Sequence, residues 1–305
     1  MNFFLFLLIS VTFSETVGGY AGSSFRYGTN AREVALGNAL ISSYNNGFNA
    51  LVNPALLSKI ENNEYGFSYF SLSLDRSVQV LSLSNTLPPN AGMSLSYVRT
   101  GTDDIILKDN NNNNNGTYNH SESYGAISFG TKFDRFSLGI SIKALFNNMP
   151  GNSAKGIGAD FGLIYDVNKQ SQIGFVCRNV NTKYSWDNEN NNVYEEAIPL
   201  TYALGYTYLN NIILIALKYN IVSVNNFNFQ ESMIGIEYNM LSLLNIPLTV
   251  RFGTNKNSNF NFGFGYPINL SKNRFIIFDY TIDTNTFEKG GNHLISLIFN
   301  MENNN

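Results

Sequence analysis

The run Phe136-Ser137-Leu138-Gly139-Ile140-Ser141-Ile142-Lys143-Ala144-Leu145-Phe146 places its large apolar residues mainly on even numbers and Lys143 on the odd set. Successive side chains of a strand point to opposite faces, so this run reads as a strand with one greasy and one polar side. Asn259-Phe260-Asn261-Phe262-Gly263-Phe264-Gly265-Tyr266 repeats the pattern, with aromatics alternating against asparagine and glycine. Period two with a single greasy face is what a strand between lipid and a polar lumen requires.

Outward from that run, the same period fills the chain. From Glu64 onward it divides into about fourteen strand-sized segments: 64–75, 76–86, 91–102, 121–132, 135–147, 154–166, 170–183, 198–209, 211–222, 230–240, 245–254, 258–267, 272–283 and 291–300. Each is close to the length a tilted strand needs to cross a bilayer. Connections after even-numbered segments are short: Leu87–Asn90, Phe133–Asp134, Val167–Lys169, Asn210, Leu241–Leu244 and Ile268–Ser271. Those after odd-numbered segments are mostly long, among them Asp103–His120, Asn148–Ser153, Tyr184–Ala197, Ser223–Phe229 and Thr284–Gly290. Short turns on one side and long loops on the other mark a membrane barrel, the short side being periplasmic. The asparagine run Asn110–Asn115 in the first long loop reads as a solvated, mobile tip.

Composition agrees with that reading. The 305 residues suit one large β domain, only 13% are charged and 14% are aromatic. A mean hydropathy of -0.11 is too polar for a helical membrane protein, while in a barrel only alternate residues meet lipid. Lys+Arg 19 against Asp+Glu 22 leaves no basic footprint for nucleic acid, and the single cysteine, Cys177, rules out an internal disulfide framework. Cys177 shares its face with Ile173 and Phe175, so it reads as an inert, lipid-facing thiol.

Ahead of the strands, Phe3 to Phe13 form a short apolar core that reads as a secretory signal peptide, ending by residue 19. Residues 20–62 then form the chain's helical stretch: Ala31, Val34, Ala35, Ala39 and Leu40 recur at helical spacing. Asn45-Asn46-Gly47 breaks the run, and a second apolar turn closes on Asn53-Pro54-Ala55. A helical insert before a closed sheet suggests a plug for its lumen. The expected organisation is signal peptide 1–19, plug 20–62, barrel 63–300 and polar tail 301–305. The expected fold is an all-β membrane protein, a fourteen-stranded antiparallel transmembrane β-barrel with a short helical N-terminal plug.

Ala21-Gly22, Phe25-Arg26, Gly28, Ala31-Arg32, Ala35-Leu36-Gly37-Asn38-Ala39, Asn53-Pro54-Ala55 and Leu57 together resemble the N-terminal signature of the PorV/PorQ outer-membrane proteins. That group is similar to the FadL-type transporters, which carry the same Asn-Pro-Ala turn. The resemblance implies a bacterial outer-membrane location, a monomer in contact with outer-membrane lipid, and a plug or hatch motif of Arg32, Gly37, Asn53, Pro54 and Ala55. It implies one of two non-enzymatic roles: passage of hydrophobic small molecules, or escort of secreted cargo proteins to a type IX secretion machine. Surface binding through the long loops is a third role open to the sequence. At Asn53-Pro54-Ala55 the residues themselves imply a turn steering the chain into the first strand, and the FadL likeness adds a gating role.

The facing pattern singles out Lys143, Asp160, Arg178, Lys218, Glu237, Arg251 and Asp279 on the non-lipid face of their strands. Their signs alternate between neighbouring strands, so opposite charges can meet across the sheet. The expectation is a mid-lumen belt of ion pairs, joined by Arg32 or Glu33 of the plug, because charge at membrane depth must point inward and pair. Catalysis finds little support. The two histidines, His120 and His293, lack a cue for a nucleophile and orienting partner, and Asp103-Asp104 reads as a solvated acidic turn rather than a calcium site. No cofactor, metal or nucleic-acid partner is expected. Gly156-x-Gly158 and Gly263-x-Gly265 lack the strand-turn-helix setting of a nucleotide loop and read as inward strand glycines. Gly101 is expected to end the third segment with a kink.

Overall fold

The computed structural model describes residues 20–188, 194–224, 227–254, 260–271, 274–284 and 291–301. The expected signal peptide, and the expected tail apart from Met301, lie outside the described residues. Among the described residues, fifteen strands follow the N-terminal segment. They are β1 (Asn63–Leu72), β2 (Arg76–Leu87), β3 (Ala91–Lys108), β4 (Asn114–Phe133), β5 (Phe136–Met149), β6 (Asn152–Asp166), β7 (Ser171–Asn188) and β8 (Tyr194–Ala197). The rest are β9 (Leu200–Leu209), β10 (Ile213–Val224), β11 (Phe227–Asn239), β12 (Thr249–Thr254), β13 (Phe260–Ser271), β14 (Arg274–Asp283) and β15 (Asn292–Met301). Each runs antiparallel to its neighbours, and β1 pairs with β15 while β6 pairs with β7, so the sheet closes. Because β8 and β9 follow one another along β7, the wall has fourteen staves. Closure removes the sheet's outer edges, as a sheet in lipid requires; among the described residues the short β8 alone is paired on one side only, to β7.

The alternation read from Phe136–Phe146 sets the two faces. Ile142 is 58% exposed and its neighbour Lys143 7%. Phe136, Leu138, Ile140 and Phe146 share the outward face, and Ser137, Ser141 and Leu145 the inward one. Across the wall the outward aromatics touch, as where Phe252 meets Phe260 and Phe262. This surface is apolar because it faces lipid rather than water.

The stretch 20–62 lies inside. It contains a 3-10 turn at Ser23–Arg26, α1 (Ala31–Ala35), α2 (Asn49–Val52) and a second 3-10 turn at Pro54–Lys59. The helical spacing through Leu40 therefore overstates the helix. Gly37 and Asn38 both adopt left-handed φ, 63° and 62°, which stops α1 within two turns. Leu36, Leu40, Ile41, Leu56 and Leu57 are wholly buried, so the segment fills the lumen.

Several connections differ from expectation: in Tyr184–Ala197, β7 runs on to Asn188 and pairs with β8, and β13 runs through Ile268–Ser271. Asp103–His120 is no loose loop: β3 and β4 continue as a paired hairpin, and Gly101 lies inside β3 rather than at its end. The pairing slips only between Thr102 and Ile105 and again near the tip. The asparagine run closes as a tight turn, in which Asp109 accepts the backbone N–H groups of Asn111 and Asn113, each at 2.8 Å. On the opposite side, the connection expected to be only Leu241–Leu244 extends to Leu248. It holds a one-turn helix, α3 (Leu241–Leu244), capped by left-handed Asn245. Pro247 has no N–H to offer a ladder, which delays β12 to Thr249.

If Ile142 faces lipid, Ile142→Arg should cost about 2–4 kcal/mol in reversible urea unfolding from lipid vesicles. The inward Ser141→Ala should cost little by the same measurement; equal costs would remove the facing assignment.

Candidate lumenal site

The plug is fixed first by backbone contacts. Asn30 caps α1, its Oδ1 accepting the Glu33 N–H at 2.9 Å. The Ala31 N–H donates to Ser296 Oγ on β15, Thr281 Oγ1 on β14 donates to the Ala31 carbonyl, and Asn261 Nδ2 on β13 donates to the Val34 carbonyl. Inward glycines let the plug backbone lie directly on the sheet. A Cβ at Gly253 would overlap the Gly37 backbone, and one at Gly139 would overlap Pro54 and Ala55. Asn53 Oδ1 accepts the Ala55 N–H at 3.0 Å and its Nδ2 donates to the Ile41 carbonyl at 2.9 Å, while Pro54 starts the second 3-10 turn. Asn53-Pro54-Ala55 thus forms a turn pinned against β5 and β6.

The inward charges form two groups. In the first, Arg32 grips Glu237 with two bonds, Nε to Oε2 at 2.7 Å and Nη2 to Oε1 at 2.9 Å. Arg251 donates to the same Glu237 Oε2 at 2.7 Å and to Asp279 Oδ1 at 2.6 Å. Two cations and two anions balance, and the Arg32 end joins the plug to strands β11, β12 and β14. In the second, Lys143 meets Asp160 at 2.7 Å and also donates to Asn179 Oδ1 at 2.7 Å. Arg178 and Lys218 do not join an ion pair among the described residues. Arg178 donates to the Val52 carbonyl at 2.6 Å and Lys218 to the Asn38 carbonyl at 2.7 Å, both on the plug. The structure therefore pairs five of the predicted charges, three of them in one network with Arg32 and two as a separate pair rather than one continuous belt, and ties the other two to backbone. Glu33 pairs with no belt residue; its Oε2 accepts from the Thr29 N–H and hydroxyl.

A cavity of about 120 Å³ separates the second group from the plug. Phe25, Tyr27 and Tyr124 line it together with Lys143, Asp160, Arg178, Asn179, Ile198, Pro199, Lys218 and Asn220. Phe25 and Tyr124 meet edge to face, 4.8 Å between centroids. A wider recess of about 1060 Å³ lies at the short-turn mouth, lined by Ser58–Glu61, Thr86–Ala91, Lys132 and Asp166. There Lys59 and Lys132 share Asp166. Burial pulls the Lys59 ammonium below its ordinary range, with Asp166 opposing.

The wall beside the inner cavity is interrupted. Along β7 the ladder to β9 ends at Arg178–Thr201, and the ladder to β8 resumes at Lys183–Ala197. Between them stand Ile198 and Pro199, and proline cannot donate to a ladder. Opposite them Asn179 and Asn181 take left-handed φ, 61° and 48°, and on its other side β7 slips register against β6 between Ile157 and Phe161. Asn179, Ile198 and Pro199 all line the cavity. Sequence reasoning passes over these residues; Asn179 and Asn181 within a strand pattern and Pro199 near a strand start are the signals for them.

The fold defines a plugged fourteen-stave transmembrane β-barrel. Solved structures similar to it include the Pseudomonas putida toluene transporter TodX, 12% identical, with 91% of this chain and 99% of that chain covered at a TM-score of 0.62. Others are the CymD monoaromatic hydrocarbon channel, 11% identical over 91% and 98% at 0.59, and a Pseudomonas aeruginosa FadL homologue, 12% identical over 90% and 98% at 0.57. No protein-family model and no curated protein matches the chain.

Glu237→Gln leaves two buried guanidinium groups facing one neutral amide and Asp279. The expected cost is about 3–5 kcal/mol in urea unfolding from vesicles, and an unchanged midpoint would deny the network its role. Gly253→Val should lift the plug from its seat and give conductance steps in planar bilayers where the parent protein gives none.

Proposed function

We propose that this protein lets hydrophobic small molecules cross the bacterial outer membrane, entering at the long-hairpin end and leaving sideways through the interrupted wall. The observation that carries this reading is the position of the inner cavity, closed below by a seated plug and bounded on one side by the break at Asn179 and Pro199. A straight axial route would have to expel residues that are bonded to β13, β14 and β15 and salt-bridged to β11. A sideways route needs only local opening where ladder bonds are already missing. Support also comes from the likeness in fold to the toluene transporter TodX and the CymD hydrocarbon channel. The reading is non-enzymatic. The plug motif of Arg32, Gly37, Asn53, Pro54 and Ala55 acts in it as an anchor, and the charges on β5, β6, β11, β12 and β14 hold the lumen together.

A disulfide across the break tests it. Thr182 and Ile198 are cross-strand neighbours, the Ile198 N–H donating to the Thr182 carbonyl at 3.0 Å. Thr182→Cys with Ile198→Cys, in a Cys177→Ala background, should stop toluene entry into vesicles when oxidised and restore it on reduction. Entry that ignores the redox state would rule out this exit, and no toluene entry in the parent protein would rule out the transport reading. Co-purification with secretion components in place of toluene entry would favour the escort role.

A further inference from the structure

We infer that Lys143 and Asn179 become joined by a side-chain amide bond, which the folded barrel forms by itself with Asp160 as the proton carrier. The inference goes beyond the transport reading and does not depend on it.

Such a bond needs an amine, an amide carbon within its reach and an acid that moves protons between them. Three consecutive strands bring these together on the inner wall. Lys143 Nζ on β5 donates to Asn179 Oδ1 on β7 at 2.7 Å, so the carbon to be attacked lies one bond beyond the atom already touched. Asp160 on β6 holds both reactants with a single oxygen. Its Oδ1 pairs with Lys143 Nζ at 2.7 Å and accepts the Asn179 backbone N–H at 2.9 Å. The partner of Lys143 in the ladder between β5 and β6 is Gly158, which has no side chain of its own to stand between Lys143 and β7. The amide is oriented by two separate contacts, because its Nδ2 donates to the Pro199 carbonyl at 3.1 Å while its Oδ1 faces Lys143. The nitrogen to be lost therefore points away from the amine.

The surroundings favour the reaction. Lys143 is 7% exposed and its Nζ stands 5.7 Å from the centre of the Tyr124 ring, so water has little access to the amide carbon. Reactants held in contact have effective molarities of about 10⁵ M or more. The cavity of about 120 Å³ that Lys143, Asp160 and Asn179 line leaves room for a departing ammonia. In the reaction Lys143 gives one proton to Asp160, and the freed amine forms a bond to Asn179 Cγ. The Cγ–Nδ2 bond then breaks. Asp160 passes its proton to the departing nitrogen and takes another from the attacking one. Ammonia leaves and Asp160 ends protonated, so one buried cation and one buried anion disappear together. The new amide straps β5 to β7 across β6. It also removes the donor that held the Pro199 carbonyl, which fixes the β7 side of the break in the wall and releases the side that carries Pro199.

Mass spectrometry of the full-length protein purified from membranes decides the matter. The intact mass should fall short of that of the chain, its ends fixed by peptide mapping, by one ammonia. A proteolytic digest should contain a branched peptide in which fragmentation places the link between Lys143 and Asn179. Lys143→Arg keeps a cation beside Asp160 but offers no amine, and should restore the full mass. Asp160→Asn should slow formation of the bond about 10²–10⁴-fold, the usual contribution of a positioned acid and base. Should either variant fail to fold, the branched peptide of the parent protein still decides. Full mass in the parent, with Lys143 and Asn179 recovered on separate peptides, overturns the inference. So does an ammonia loss that maps to Asn46-Gly47 or Asn115-Gly116, where a backbone succinimide would give the same mass. An undiminished rate in Asp160→Asn would remove Asp160 from its part in the reaction.

Discussion

A backbone that crosses lipid has to satisfy its own hydrogen bonds, and a sheet can do so only by closing. Closure then creates a second problem, because fourteen staves enclose more space than their own side chains fill. In this protein residues 20–62 meet that need, and the rest of the interior is shaped around them. Where plug backbone touches the wall, the wall residue is glycine, as at Gly139 and Gly253. Where plug polar groups turn outward, the wall answers with serine, threonine or asparagine, as at Ser296, Thr281 and Asn261. Inward residues of a barrel are free to be polar, and here their choice follows the plug rather than water.

The inward charges divide along the same logic. Arg32, Glu237, Arg251 and Asp279 compose a neutral chain in which every link is 2.9 Å or shorter. Such a chain ties plug to wall with little field left over. Arg178 and Lys218 are different, since a carbonyl supplies only a dipole to each. The plug is thus tied to the wall by side-chain ion pairs on β11 to β14 and by side-chain bonds to its carbonyls on β7 and β10.

Most of the architecture is legible in the sequence because lipid imposes a strict rule. Ile142 and Lys143 adjoin in sequence and face opposite solvents, so period two reveals both the wall and its inward charges. That rule is blind to whatever breaks the period. Ala31 to Leu40 reads as one helix because spacing carries no record of backbone torsion, while Gly37 and Asn38 turn left-handed. Asp103 to His120 reads as a loop because its residues are polar, yet above the membrane a hairpin needs no apolar face to stay paired. The partners of Arg178 and Lys218 are backbone carbonyls of Val52 and Asn38, which no residue type announces.

The interruption at β7 gives these observations a common direction. A stave held by ladders on both sides opens only at the cost of several hydrogen bonds at once, each expensive to leave unmade in lipid. Around Asn179 that cost is already reduced, because Pro199 has no N–H and the register against β6 has slipped. Lys143 and Asp160 hold Asn179 from the inside, through its Oδ1 and its N–H at 2.7 and 2.9 Å. The same ion pair that neutralises charge in the cavity therefore also props the weakest part of the wall. Under the transport reading proposed above, a solute that competes for Lys143 or Asp160 would therefore meet both roles of that pair.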